Sequence, residues 1–328
     1  MPKDRILAIG QTIGILILMS LGTVYMKRAL YDVKPFTFIA LTLLIGMAAM
    51  SLYTFVIRRE VIPRGLSRQV WYYIVMIGLC NFVISRIMQT FALQMMPATT
   101  NSYVSNFIGF ITMGMSIFIL RESPTIFQIL GALVAITGLR IFFVEIPPAN
   151  EMLGIGLVFI GITAVAYTNN IARKLAIITN YSLSNNILST VALLIGGSIT
   201  VVIGLASDWP LRVDGWQNWA VIVYMGLVSI AFGLTVWNKI LRTLRSYEAS
   251  ILGASTVIWT ALLAVPILGE HLSANQMAGI ALMIVGLALV QVRRGPLSSL
   301  FRRKPAAAAL VLPAEPTVIE PASENTRG

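Results

Sequence analysis

The chain has 328 residues, of which 57% are hydrophobic and 11% charged, and its mean hydropathy is +0.83. A soluble domain carries about 25% charged residues, so this composition excludes a water-soluble globular protein and predicts an integral membrane protein whose solvent is the lipid bilayer. The net charge of +11 does not indicate a nucleic-acid partner, because the basic residues sit in short clusters between long apolar runs.

Ten apolar runs follow one another along the chain. A spanning helix needs about 20 mostly apolar residues, and lipid admits only helices or closed barrels. The runs are too long for barrel strands, so we predict an all-α membrane protein of ten transmembrane helices. The first run is longer than the core of a signal peptide and is expected to stay in the protein. The runs cover residues 7–26, 36–57, 70–90, 98–120, 126–144, 152–172, 184–205, 218–238, 247–268 and 274–292.

The distribution of basic residues predicts the orientation. With a cytoplasmic N-terminus, most lysines and arginines fall in cytoplasmic connections, as the positive-inside rule requires. The pair Lys27–Arg28 is the awkward exception, because it falls on the external side. Ten crossings return the C-terminus to the cytoplasm, and a plasma membrane, most simply a bacterial inner membrane, is the expected location. Tryptophans mark both expected interfaces: Trp71 on one side, and Trp209, Trp216 and Trp219 on the other.

One stretch of the chain occurs almost twice. Residues 119–131 read ILRESPTIFQILG, and residues 267–279 read ILGEHLSANQMAG. The same offset of 148 residues aligns further positions in the next helix. Chance apolar similarity does not explain why polar residues and glycines match in register. The matching pairs are Glu122 with Glu270, Gln128 with Gln276, Gly131 with Gly279, and Gly138 with Gly286.

The repeat predicts the domain organisation. Residues 1–145 form a first five-helix repeat, residues 150–292 a second, and residues 293–328 a disordered cytoplasmic tail. Because five is odd, the second repeat enters the membrane from the opposite side. Inverted-topology repeats are a common construction of secondary transporters, whose substrate site lies near the midplane where the halves meet.

The repeated stretches resemble the EamA-like ten-helix type of the drug/metabolite transporter superfamily. The resemblance rests on IFILRESPTIFQILGALVAITG and VPILGEHLSANQMAGIALMIVG, which are similar to the family pattern of proline, an apolar residue, (Leu)-Gly-Glu, five residues, Gln, two residues, Gly, six residues and Gly. It implies that the first, third, fourth, sixth, eighth and ninth helices surround a central cavity. The second, fifth, seventh and tenth helices then pack outside.

The motif residues have structural interpretations. Glu122 and Glu270 each lie between two helices, where a carboxylate caps the following helix or takes part in transport. The glycines at spacing seven share one helix face and favour close helix packing.

Polar residues within the apolar runs are the candidates for the substrate site. Such side chains face the bundle or water, and they either line a cavity or bond neighbouring helices; both readings stay open. Arg86, about sixteen residues into its run and so in its outer third, is either a counter-charge for a carboxylate or phosphate, or a snorkelling or structural arginine. The candidates are Asn81, Arg86, Gln89, Ser102, Asn106, Tyr167, Asn170, Trp237 and Trp259.

These observations favour a secondary transporter that exports small polar metabolites, such as amino acids or related compounds. A non-transporting membrane scaffold or sensor is one alternative. An intramembrane enzyme is another, but His271 and Cys80 lie far apart in sequence and no hydrolase or metalloprotease motif is present. A single cysteine and a single histidine argue against a metal site, and no cofactor is expected. The sequence leaves open whether the chain forms a homodimer.

Overall fold

The computed structural model describes residues 3–119, 125–179, 183–235, 253 and 255–290, with side chains from residue 10 onward. This part of the chain holds ten helical segments and no strand. Seven are long and apolar enough to cross a membrane, and three are shorter apolar helices. The ten are α1 (Lys3–Ala29), α2 (Pro35–Ile57), α3 (Arg68–Met95), α4 (Ala98–Ile119), α5 (Ile126–Phe142), α6 (Ala149–Ile178), α7 (Asn185–Asp208), α8 (Trp216–Thr235), α9 (Thr256–Leu268) and α10 (Ala274–Val290).

Helices α3 and α4 differ from their predicted course at places that matter for the site. Helix α3 continues to Met95, five residues beyond the predicted end. Helix α4 is interrupted by a turn at Asn106 and Phe107, where the hydropathy pattern predicted an unbroken helix. The amide of Asn106 bonds the carbonyl oxygen of Ser102 at 2.8 Å, which is the local side-chain competition that disfavours asparagine inside helices.

Helix contacts show the inverted symmetry of the two repeats. Helix α1 packs on α9 as α6 packs on α4, and α3 packs on α7 as α8 packs on α2. Helices α2 and α7 correspond to each other and are in contact, and so do α5 and α10. These pairings are those of two five-helix units related by a pseudo-two-fold axis.

The four motif glycines hold α5 and α10 together. A Cβ atom on Gly286 would lie 2.6 Å from the carbonyl oxygen of Gly131, and one on Gly279 would lie 2.8 Å from that of Gly138. The contacts are reciprocal, since Gly131 and Gly138 meet the same partners. Any side chain here would separate two backbones, so we call this contact the glycine seam.

The motif glutamines lie in the first turns of α5 and α10. Thr125 accepts from the backbone N–H of Gln128, whose side chain accepts from the N–H of Thr125 at 2.8 Å. Ser273 and Gln276 form the same pair of bonds, at 3.2 and 3.0 Å. Each is a capping box, which bonds backbone donors that a helix start leaves free.

Aromatic side chains lie exposed near both ends of the bundle. Trp71 near the start of α3 is 39% exposed, and Trp216 at the start of α8 is 78% exposed. Large apolar residues on the outer helices are exposed as well, among them Leu133 and Ile136 on α5. This surface suits lipid rather than water.

Candidate functional site

A cavity of about 260 Å³ lies inside the bundle. Its walls come from α1, α3, α4, α6 and α8, five of the six helices that the family resemblance places around a central cavity. The polar contributions of α1, α4 and α8 are Thr23, Asn101 and Ser229; α3 contributes Asn81, Ser85, Arg86, Gln89 and Thr90. The wall is therefore mixed, with most of its polar groups on one helix.

The cavity lies between two π-helical segments. Helix α3 is π-helical over Leu79–Ser85, and α8 is π-helical over Met225–Phe232. The repeat offset maps the first segment onto the second within two residues. π-Helical turns within α-helices often occur at functional sites, because they rotate the side chains that follow.

Positions that the repeat makes equivalent face the cavity together. This places the cavity on the pseudo-two-fold axis, where a substrate can contact both halves of an inverted-repeat transporter. The equivalent pairs are Asn81 with Ser229, Phe82 with Ile230, and Arg86 with Leu234.

Among the described residues of this cavity wall, Arg86 is the charged one. Within the described part of the chain, its guanidinium makes no ion pair and no hydrogen bond. At 1.5 Å per residue, it lies about 14 Å along α3 from the end at Met95. Arg86 is the nineteenth of the 28 residues of α3, so it stands two thirds of the way along the helix, at the border of the outer third. Its depth argues against snorkelling to that end.

Two further polar groups of the wall differ in how they are bonded. The Gln89 amide donates to the Ser85 hydroxyl at 2.6 Å. Asn101 is only 7% exposed, and its side-chain oxygen has no partner among the described residues. A buried acceptor without a donor is unfavourable by about 1–3 kcal/mol, and this oxygen is closed off from the cavity because it has almost no accessible surface.

Several candidate residues lie between helices, outside the cavity wall. The Asn170 amide donates to the Thr112 carbonyl oxygen on α4 at 3.1 Å, and to Ala166 on its own helix at 3.0 Å. Asn106 reaches the Thr256 hydroxyl on α9 at 3.3 Å. Ser102, on the same turn as Asn106, is buried. These amides join α4 to α6 and α9.

Two aromatic candidates, Tyr167 and Trp259, are also placed apart from the cavity. Tyr167 packs against the apolar cluster formed largely by α2, α3 and α7. The Trp259 indole donates to the Ser255 hydroxyl at 3.1 Å within α9. Trp237 and Glu122, like the tail 293–328, lie outside the described residues, so their predicted roles stay predictions.

One end of the cavity is held together by Lys27 and Glu270, and we call this end the Glu270 face. The buried Lys27 ammonium donates to the carbonyl oxygens of Leu93 and Gln94, at 2.8 and 2.9 Å. This ties α1 to the end of α3, and it explains the awkward position of Lys27 in the charge pattern. Lysines on the last carbonyls of a helix are favourable.

Glu270 caps a helix of the other repeat. Its carboxylate accepts from the backbone N–H groups of Ala98 and Thr99, at 2.5 and 3.1 Å, at the start of α4. We expected it to cap the helix that follows, but Ser273 and Gln276 occupy that position. The carboxylate also lies within electrostatic range of Lys27. Three helices of the cavity wall, α1, α3 and α4, therefore meet the connection after α9 here.

Sequence reasoning did not single out Ser229 and Asn101 of the cavity wall, nor the capping residues Thr125 and Ser273. Ser229 follows from Asn81 by the repeat offset, and the capping-box serine and threonine follow from their spacing to the glutamines. Asn101 lies off the polar stripe that we selected on α4, so only the fold reveals its position.

Comparison with known proteins decides the family. The profile of the EamA-like transporter family matches residues 6–144 and, a second time, residues 152–292. The chain belongs to the EamA-like transporter family. It is a membrane transporter of the drug/metabolite transporter type, built from two EamA repeats.

A solved crystal structure has the same fold as this EamA transporter. It superposes with a TM-score of 0.60 at 16% sequence identity, and the alignment covers 89% of this chain and 98% of the other. At that identity, the likeness concerns the fold alone. No curated protein sequence matches the chain.

Proposed function

We propose that this EamA transporter exports small polar metabolites, such as amino acids or related compounds, by alternating access. The observation that carries this proposal is the polar cavity between the equivalent π-helical segments of α3 and α8. A substrate held there touches both repeats, so exchanging the conformations of the repeats opens the site to the other side of the membrane. The cavity of about 260 Å³ lies below the roughly 300–1,000 Å³ of sites for drug-sized ligands, which favours small metabolites.

The Glu270 face supplies a closure for this cycle. With the N-terminus in the cytoplasm, that face is external, and release to the outside requires α1 and α3 to separate there from α4 and the α9–α10 connection. The Lys27 hydrogen bonds stay on one side of this opening and the Glu270 hydrogen bonds stay on the other, so the attraction between Lys27 and Glu270 is the polar contact that must weaken and re-form in each cycle. Opening must also separate apolar contacts, because Leu93, Ala98 and Ala264 at this end are buried in one hydrophobic cluster.

Efflux from cells tests the proposal. Cells that express the transporter are loaded with a labelled mixture of amino acids and small organic acids, and the medium is sampled over minutes. We expect faster release of at least one compound than from cells carrying the empty vector. Equal release of every compound, together with faster uptake into the expressing cells, would reverse the direction. Cysteine accessibility at the two faces then tests the orientation.

Deletion of residues 293–328 distinguishes transport from a scaffold or sensor role. A carrier keeps its flux without the tail, since the cavity is formed by α1, α3, α4, α6 and α8. If the truncated protein folds and cells that carry it show an unchanged efflux rate, the tail has no part in transport. Membership of a transporter family likewise favours transport over an intramembrane enzyme.

A further inference from the structure

A second space lies between α1 and α8, and its lining shares no residue with that of the central cavity. It measures about 460 Å³, which falls within the roughly 300–1,000 Å³ of ligand sites. Helix α1 belongs to the first repeat and α8 to the second, so the space lies on the boundary between the repeats. We call it the α1–α8 groove; its lining comes from within residues 21–32 and 216–224.

The groove opens sideways, towards the bilayer. Leu18 and Tyr25 on α1 and Val223 on α8 are exposed beside it, and exposed apolar side chains on spanning helices face acyl chains. The Tyr224 hydroxyl donates to the Leu18 carbonyl oxygen at 2.8 Å, which joins the two helices below the groove. A molecule therefore reaches the groove from the membrane.

Polarity changes along the groove as it changes across one leaflet of a bilayer. Arg28 is the next-to-last residue of α1, and Trp216 is the first residue of α8. Leu21 and Val221 line the groove roughly 7–11 Å deeper, at 1.5 Å per residue. Tryptophans at helix ends lie at the level of the headgroups. The polar end of the groove therefore lies beside the headgroups, and its apolar end beside the acyl chains.

The polar end carries a cation and an anion that are not paired with each other. Arg28 and Asp32 both line the groove, and their side chains form no ion pair or hydrogen bond with a described residue. The pair is thus available to a bound molecule. Because the helices alternate in direction, the described residues include every connection at this end of the bundle, namely 30–34, 96–97, 143–148, 209–215 and 269–273.

These two charges match the headgroup of a zwitterionic phospholipid. A guanidinium binds phosphate oxygens through two parallel hydrogen bonds, and the Asp32 carboxylate can accept hydrogen bonds from a primary ammonium. Tyr25 and Trp216 line the same groove, and aromatic faces attract cations. A glycerol headgroup brings no cation to Asp32, and a choline headgroup has no N–H to donate. An ethanolamine headgroup satisfies both charged side chains.

The corresponding place in the other half of the molecule is built differently. The repeat offset places Tyr73 of α3 where Val221 stands in α8. The Lys174 ammonium of α6 lies 5.8 Å over the Tyr73 ring, so the chain itself supplies a cation and an aromatic ring there. At the α1–α8 end, the smaller valine leaves room for a bound molecule.

We propose that the α1–α8 groove binds one phospholipid with an ethanolamine headgroup. The phosphate of this lipid lies on Arg28, its ammonium lies on Asp32, and one acyl chain lies between the two helices. The bound lipid contacts both repeats, and it stabilises this arrangement of α1 and α8 by mass action. The site is separate from the substrate cavity and does not depend on the direction of transport.

Thermal unfolding of the purified full-length protein, stripped of lipid in detergent, tests this site. The probes are phosphatidylethanolamine, phosphatidylcholine and phosphatidylglycerol with identical acyl chains, and O-phosphoethanolamine as the soluble headgroup. We expect phosphatidylethanolamine to raise the Tm most, and O-phosphoethanolamine to leave it unchanged. A shift from either other lipid as large as that from phosphatidylethanolamine would mean non-specific lipid binding. An equal shift from O-phosphoethanolamine would mean a site for a soluble ligand, and each of these results overturns the proposal.

Variants then assign the two headgroup contacts. Arg28→Gln should raise the phosphatidylethanolamine concentration for half of the Tm shift about tenfold, because it removes a charge-assisted hydrogen bond. Asp32→Asn should abolish the preference for phosphatidylethanolamine over phosphatidylcholine, and Asp32→Lys should transfer the preference to phosphatidylglycerol. Both side chains are exposed, so these variants leave the core intact.

Arg212→Gln and Asp214→Asn are the matched controls. These two residues are exposed at the same end of the bundle and lie outside the groove lining, so both variants should keep the wild-type response to each lipid. If Asp32→Lys still prefers phosphatidylethanolamine, or if the controls lose the response as Arg28→Gln does, the headgroup assignment is wrong.

Discussion

Two regions of this transporter lie where its repeats meet, and they are built in opposite ways. At the glycine seam, α5 and α10 are regular helices whose backbones touch through four glycines. At the cavity, α3 and α8 depart from the regular helix over seven and eight residues and leave a space between polar side chains. The same symmetry thus produces one contact without room for a methyl group and another with room for a substrate.

The difference shows that the two contacts between the repeats have different roles. Small residues at a helix interface allow close packing, which is the main attraction between helices in lipid. The seam can therefore hold the halves together while α3 and α8 change their contacts.

The largest effect is expected at the seam, from Gly286→Ala. The added Cβ atom would meet the backbone carbonyl oxygen of Gly131 at 2.6 Å and the Ala135 nitrogen at 2.9 Å, neither of which can move without moving α5. Overpacking of this kind costs about 3 kcal/mol, and we expect a lower Tm and loss of the monodisperse peak in gel filtration. Gly156→Ala is the control, since a Cβ there meets nothing within 4 Å; it should be neutral or gain up to about 1 kcal/mol from helix propensity. Equal behaviour of both variants would refute the seam.

Glu270→Ala tests the link between the seam and the cavity. Glu270 lies four residues before the start of α10 at Ala274, and it caps α4. The variant leaves the N–H groups of Ala98 and Thr99 without their acceptor and removes the counter-charge near Lys27. Loss of a helix cap costs about 0.5–2 kcal/mol, to be measured as a lower Tm of purified protein. Glu145→Ala, at an exposed position after α5, should leave the Tm unchanged. If Glu270→Ala lowers the Tm no more than Glu145→Ala does, the Glu270 face is unimportant for stability.

A charge exchange tests the equivalence of the two cavity walls. Arg86→Leu alone should weaken binding of a small carboxylate in the cavity at least tenfold, because it removes the cation found among the described residues of the wall. Adding Leu234→Arg restores one cation at the symmetry-related position of the wall, so the double variant should regain part of the affinity with the ligand reversed. The comparison of Kd values for the single and double variants is the measurement. No recovery in a folded double variant would show that the walls are not equivalent.

The smallest effect distinguishes two asparagines of similar sequence context. Asn170→Leu removes the hydrogen bond between α6 and α4. Such bonds are worth about 0.6 kcal/mol on average in membrane proteins, so the variant should lower the Tm slightly without changing ligand affinity. Asn81→Leu should do the reverse, because Asn81 lines the cavity. The two variants are compared by thermal unfolding and by Kd; the opposite pattern would exchange their roles.

The repeat explains which parts of the site could be predicted from the sequence. Glu270, Gln276 and Gly279 stand in register with residues of the first repeat, so their importance followed from the sequence. Their partners did not: the N–H groups bound by Glu270 lie 171 and 172 residues away, in the other repeat. The closeness of the start of α4 to the connection after α9 is a consequence of packing, which no local pattern contains.

The membrane environment, the ten helices and the inversion of the second repeat were determined by the sequence alone, because they depend on composition, run length and an internal offset. Which polar side chains face the cavity was decided only by the tertiary structure. Asn81 and Asn170 are both amides in apolar helices, but Asn170 lies within reach of a carbonyl on α4, and Asn81 faces the cavity. The length of α3 and its π-helical segment likewise decided that Arg86 lies deep in the bundle, since helix ends and hydrogen-bond register depend on neighbouring helices as much as on the residues themselves.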